Sequence, residues 1–179
     1  EFVEKLISSL TAEQHFIHIS SLGVEKSQSS SIYAKTKYEA EVKIKNSLQN
    51  YSIIKPSVIF GPRDNFFNLF HNMAKISPFL PIIGSGSTLF SPVYVEDVVS
   101  AIHSIIEKQQ ENKIFAACGP DMASFRELLE FMLKTANKTR VLLPIPFKIA
   151  KLQAKIMNSV KLYILTPDQV ELLKYDNIN

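Results

Sequence analysis

The chain has 179 residues, 46% of them hydrophobic and 21% charged, enough for one domain with a real core and too apolar for intrinsic disorder. Its net charge is +3, and its bases are 17 lysines with only three arginines, which argues against a dedicated nucleic-acid binder built on clustered arginine forks. The single cysteine, Cys118, excludes an internal disulfide and a cysteine-based zinc site, and no run of 18 apolar residues marks a membrane span.

In chain order, Phe2, Val3, Leu6, Ile7 and Leu10 recur at helical spacing and predict a helix over about 1–13. The opening Glu1-Phe2-Val3-Glu4 has neither the basic start nor the apolar stretch of a signal peptide, and reads as the interior of a longer domain. His15 to Ile19 is a β-rich run ending in Ser20-Ser21-Leu22-Gly23, so a strand and then a loop are expected, and the serine-rich 26–31 continues that loop. His15 and His18 fall on opposite faces of such a strand and make no metal pair. A helix follows over about 31–49, with Glu39–Lys43 and Glu41–Lys45 as i,i+4 pairs. Ser52 to Lys55 predicts a strand, 61–64 a turn and 65–76 a helix.

Pro78, Pro81, Gly84 and Gly86 punctuate what reads as a loop, and 88–94 reads as a strand broken by Pro92. Glu96 and Asp97 suit the positive end of a helix running to about 109, and 114–118 is strand-like. Ser124 to Glu127 is a capping box opening a helix to about 136, followed by an extended 141–143. A basic amphipathic helix is expected over 147–160, and Thr166-Pro167-Asp168-Gln169 is a second capping box. Strands alternating with helices predict an α/β fold with a parallel sheet.

The five glycines, Gly23, Gly61, Gly84, Gly86 and Gly119, contain no nucleotide loop. The only Gly-x-Gly, Gly84-Ser85-Gly86, is followed three residues on by Leu89, and no Gly-Lys-Ser/Thr is present. The chemistry-bearing pattern lies elsewhere. Tyr33 and Lys37 are four apart near the start of a helix, hence on one face, where an ammonium favours the phenolate and lets a tyrosine move a proton. Ser20 and Ser21 end the preceding strand and offer hydroxyls to the same oxygen. A second Tyr-x-x-x-Lys, Tyr51 to Lys55, lies in a predicted strand and separates its ends by roughly 13 Å.

The segments Phe16 to Gly23 and Ser31 to Glu41, with Ile54 to Pro62 and Pro92 to Val99, resemble the extended and atypical short-chain dehydrogenase/reductase superfamily, which includes NAD-dependent epimerase/dehydratase proteins. The short serine-to-tyrosine loop and Phe90 to Asp97 are most similar to the subgroup related to the nucleotide-binding accessory subunit of respiratory complex I. The resemblance implies Tyr33 as acid/base, Lys37 on the nicotinamide ribose and Ser21 as the catalytic hydroxyl, ahead of Ser20. It implies Pro56, Ser57 and Val58 as nicotinamide contacts. Lys55 stands where arginine is common in the family, which removes a bidentate fork.

The resemblance further implies the C-terminal part of a Rossmann-type doubly wound sheet over 1–120 and a small α-rich substrate-side or partner-side lobe over 121–179. The phosphate loop would lie in preceding βα units, roughly 100 residues at about 30 per unit. The strand at 15–19 would then present an unpaired edge. Three functions are expected from it. The first is a protein holding NAD or NADP for structure or assembly in complex I, and the second an active NAD(P)-dependent oxidoreductase or epimerase/dehydratase. The third is an inactive remnant that binds dinucleotide weakly unless the phosphate-loop half is supplied. The expected location is the bacterial cytoplasm or the mitochondrial matrix side. Lys148, Lys151 and Lys155 share a face of the late helix beside Phe147, Ala150, Ala154 and Met157. That face reads first as solvated lysines, and second as a peripheral contact with an anionic membrane or with complex I subunits.

Overall fold

A computed structural model describes residues 2–159 and 166–179. After helix α1 (Phe2–Ser9) comes strand β1 (Phe16–Ile19), then a short helix α2 (Val24–Ser27), helix α3 (Ile32–Ser47) and strand β2 (Tyr51–Pro56). The chain continues through β3 (Ile59–Phe60), α4 (Phe67–Ile76), β4 (Phe79–Ile83), β5 (Leu89–Phe90), β6 (Val93–Tyr94), α5 (Val95–Glu107) and β7 (Lys113–Ala117). It ends with β8 (Ala123–Ser124), α6 (Phe125–Thr135), β9 (Val141–Ile145), α7 (Phe147–Ser159) and α8 (Pro167–Leu172).

The central sheet is parallel in the order β1-β2-β7. Its middle strand is buried on both faces, with Ile53 and Ile54 fully buried and Ser52 and Lys55 buried beside them, as in a strand covered on both sides. Among the described residues strand β1 pairs with β2 alone. Parallel pairs β3–β6 and β4–β9 and the antiparallel pair β5–β8 surround this sheet.

A second apolar core joins α4, β4 and β5 to α6, α7 and α8, with Phe70, Leu80, Ile82, Phe125, Leu129 and Val170 almost completely buried. Phe70 and Phe125 meet edge to face at 5.4 Å, and Phe66 lies 5.7 Å from Phe70. This core fastens the C-terminal helices to the segment just beyond the sheet's carboxyl edge.

Two predicted loops are corrected. Residues 79–83 form β4 despite Pro81, which sits opposite Leu143 of β9. Among the described residues β4 has one neighbour, and a proline without an N–H is tolerated on such an edge strand. Within the serine-rich stretch, Lys26 and Ser27 belong to α2 rather than to a loop, and Ser27 donates to the Gly23 carbonyl at 3.2 Å.

Of the two predicted helix pairs, Glu41–Lys45 forms at 3.8 Å. Lys43 turns instead to Glu4 at 2.5 Å and holds that carboxyl down at about 2, tying α1 to α3. On α7, Ala150 and Ala154 are buried, whereas Ile149 and Leu152 are exposed beside Lys148. Lys151 pairs with Glu171 at 2.9 Å, so it is not a free cation. Lys155 and Met157 lie outside the described side chains. Among the described residues no helix is long and apolar enough to cross a membrane.

Candidate functional site

The candidate site is the carboxyl edge of the central sheet. Beyond Ile19 the chain keeps following β2: the Ser20 N–H donates to the Ile54 carbonyl at 2.7 Å and the Leu22 N–H to the Pro56 carbonyl at 2.9 Å. Helix α3 then starts at the cap Ser31, whose hydroxyl accepts from the Ala34 N–H at 3.1 Å. Tyr33 therefore occupies the second position of the helix, 42% exposed, with Lys37 one turn along.

The Lys37 ammonium lies 5.9 Å from the Tyr33 ring centroid and donates to the Ile19 carbonyl at 2.7 Å. Residues 16 and 20 direct their N–H groups toward β2, so by the pleat's alternation the Ile19 carbonyl faces away from β2. Lys37 thus satisfies a carbonyl that β2 does not use and stands over the tyrosine at once. Burial lowers the Lys37 pKa from the ordinary lysine range, and the Glu41 charge opposes that shift. Burial, helped by the Lys37 charge, also lowers the His18 pKa, and among the described residues its buried Nε2 has no hydrogen-bond partner.

The two serines divide. Ser20 is buried and donates to Glu41 Oε1 at 2.5 Å. Ser21 is half-buried and, among the described residues, reaches the Leu22 carbonyl at 3.5 Å. Among the described residues no hydrogen bond joins either serine to Tyr33. Beneath them lies an ionic cluster that the sequence did not reveal. Lys55, 5% exposed, is hydrogen-bonded to Glu25 and lies 3.3 Å from the fully buried Glu41, which Lys45 also approaches. Burial works against a charged Glu25, yet the Lys55 ammonium holds its carboxyl below the usual range. The lysine in place of arginine serves these two carboxylates from one point charge.

Pro56 is buried and spends its carbonyl on Leu22. Ser57 is also committed: its N–H donates to the Ala117 carbonyl at 3.0 Å and its hydroxyl to the Asn177 carbonyl at 2.8 Å. Val58 packs on the second core. The C-terminal segment crosses this edge, and the Asn177 amide donates to the Leu22 carbonyl at 2.7 Å. Asp168 reaches from α8 to the start of α3. Sequence reasoning saw Asp168 only within a local capping box and Glu41 only as the i,i+4 partner of Lys45, and gave no signal for Asn177, whose partners are remote in the chain.

Gly119 and Pro120, beyond β7, open onto a separate cleft of about 800 Å3 between α4, α5 and α6, with Phe60, Phe67, Tyr94 and Phe131 on its walls. Ser21, Tyr33 and Lys37 do not line it. Among the described residues no cluster of histidine, cysteine or carboxylates has the makings of a metal site.

A parallel sheet with a Ser-Ser loop and a Tyr-x-x-x-Lys helix at its carboxyl edge is part of a Rossmann-type dinucleotide fold. Solved structures share it. UDP-glucuronic acid 4-epimerase from Bacillus cereus, in complex with UDP-glucuronic acid and NAD, superimposes with a TM-score of 0.66 at 21% identity, over 80% of this chain and 53% of the epimerase. dTDP-glucose 4,6-dehydratase from Bacillus anthracis, in complex with NAD, gives 0.67 at 15% identity, over 81% and 53%.

The chain belongs to the 3-beta hydroxysteroid dehydrogenase/isomerase family, whose profile matches residues 13–119. Its relatives include the mitochondrial NADH dehydrogenase [ubiquinone] 1 alpha subcomplex subunit 9 of Arabidopsis thaliana, 31% identical over 98% of this chain and 47% of that protein. The same subunit of Mus musculus is 32% identical over 74% of this chain and 35% of that protein. The chain thus spans between about a third and a half of the length of these curated relatives. The resemblance to the complex I subgroup is borne out.

Proposed function

We propose that this protein holds the nicotinamide end of a dinucleotide at its sheet edge as a structural component of respiratory complex I, on the matrix side of the mitochondrial inner membrane. The observation that carries the reading is the similarity over nearly the whole chain to a mitochondrial complex I subunit. The relatives are mitochondrial, which lends nothing to a bacterial cytoplasmic location.

The residues fit one half of NAD or NADP. Lys37 and the partly exposed Tyr33 suit a ribose and its attached ring, whereas the five glycines supply no pyrophosphate cradle. Bound nicotinamide would supply a hydride donor or acceptor, and Lys37 would exchange its bond to Ile19 for a ribose hydroxyl. Ser21, Pro56, Ser57 and Val58 would form the wall behind the ring.

A structural rather than catalytic role is supported by the dispersal of the polar groups. Ser20 donates to Glu41, Ser21 lies 3.5 Å from the Leu22 carbonyl and Lys37 donates to Ile19, and among the described residues no hydrogen bond joins any of the three to the Tyr33 oxygen. An active reductase or epimerase with Tyr33 as acid/base is the second reading, favoured by the Lys37 ammonium standing over an accessible tyrosine.

Tyr33→Phe separates the two. In a holding role, dinucleotide retention and assembly into the complex survive this change. In an enzyme, turnover falls by orders of magnitude while binding persists. Lys37→Met is expected to weaken dinucleotide retention at least about tenfold in either case, the scale of one lost charge-assisted hydrogen bond.

A further inference from the structure

We infer that Asp168 is a positioning residue: from α8 it fixes the start of α3 and so sets Tyr33 beside Lys37. The first helical N–H groups of α3 have no intrahelical acceptor. Lys35 is the first to find one, donating to the Ser31 carbonyl at 2.9 Å. The three before it are Ile32, Tyr33 and Ala34. Ala34 is served by the Ser31 hydroxyl. The other two are served by Asp168: its Oδ1 accepts from the Ile32 N–H at 2.8 Å and its Oδ2 from the Tyr33 N–H at 2.9 Å. The Ser31 hydroxyl donates to the same Oδ2 at 3.0 Å, so one carboxylate from 135 to 137 residues away completes the cap.

Its negative charge also lies at the positive end of the α3 dipole. Ile32 and Tyr33 have exposed side chains and little packing of their own to hold them, with Ile32 77% exposed. The bidentate contact therefore controls the turn that carries the tyrosine. Asp168 is itself held in place, because Thr166 and Gln169 close a capping box around the start of α8 and Val170 is buried in the second core. Helix α8 thus packs with α6 and α7 in one core, and Asp168 ties that core to the turn carrying Tyr33.

The functional weight of this residue rests on the reading of Tyr33 and Lys37 given above. The test involves no cofactor, so its failure and the failure of that reading are distinguishable. In NMR of the chain, Asp168→Ala is expected to raise amide exchange at Ile32 and Tyr33 about tenfold, the scale of a lost helix cap. It should also remove the contact between the Tyr33 ring protons and the Lys37 side chain, while the Ile53 and Ile54 amides of β2 keep their protection. Asp168→Asn retains one acceptor and the side-chain shape, and is expected to give an intermediate loss at the same sites; it provides the same comparison if the alanine variant does not fold. Unchanged exchange at Ile32 and Tyr33, a preserved Tyr33–Lys37 contact, or an equal loss of protection in β2 would each overturn the assignment.

Discussion

Glu41→Ala is expected to cost about 3–5 kcal/mol of folding stability, the scale for breaking a buried ion pair from one side. Glu41 is fully buried and receives the Ser20 hydroxyl, with the Lys55 ammonium 3.3 Å away. Without it, among the described residues Lys55 keeps one carboxylate, Glu25, whose side chain is 48% exposed, and Ser20 loses its acceptor. The charge left in the interior, rather than the lost attraction, makes the change severe. The double replacement Glu41→Leu with Lys55→Met removes both charges and should recover much of the loss, because apolar residues of similar volume replace buried ion pairs at little cost. Urea unfolding of the single and double variants at constant slope measures both effects.

Gly119→Ala is the second large effect, at about 3 kcal/mol, the upper range for overpacking. A β-carbon at Gly119 would stand 2.0 Å from the Pro92 carbonyl oxygen, and backbone cannot swing aside as a side chain can. The glycine lets the end of β7 pass against Ser91, whose carbonyl accepts the Gly119 N–H at 3.2 Å. Gly23→Ala provides the contrast. Gly23 has a φ of +76°, but the nearest atom to an added β-carbon is 3.5 Å away, so only the left-handed strain of about 1 kcal/mol is expected. Thermal unfolding of the two variants should rank Gly119→Ala as much the less stable.

The sequence was most legible where local pattern and tertiary role coincide. The Ser20-Ser21 loop and the Tyr33–Lys37 spacing lie close together in the chain, separated by the short α2, so the carboxyl end of the sheet could be placed from them. Pro81 misled, because proline in an apolar run reads as a loop unless the strand is known to have one neighbour. Glu41 was legible only in part. Its i,i+4 partner Lys45 could be read locally, and only the fold brings Ser20 and Lys55 over it. Asp168 and Asn177 act across more than a hundred residues, and nothing in their neighbours announces it. The ionic cluster, the α3 cap and the crossing of the sheet edge by the C-terminal segment all belong to packing rather than to pattern.

Calorimetric titration of the 179-residue chain with NADH, reduced nicotinamide mononucleotide and AMP tests the central claim most directly. If the chain supplies only the nicotinamide half of the site, NADH and the mononucleotide bind with similarly weak affinity, in the range of about 0.1 mM or weaker, and AMP does not bind. Each tenfold of affinity is about 1.4 kcal/mol, so an adenylate half that made its own contacts would be plain. Micromolar NADH binding, or AMP binding as tight as that of NADH, would contradict the account.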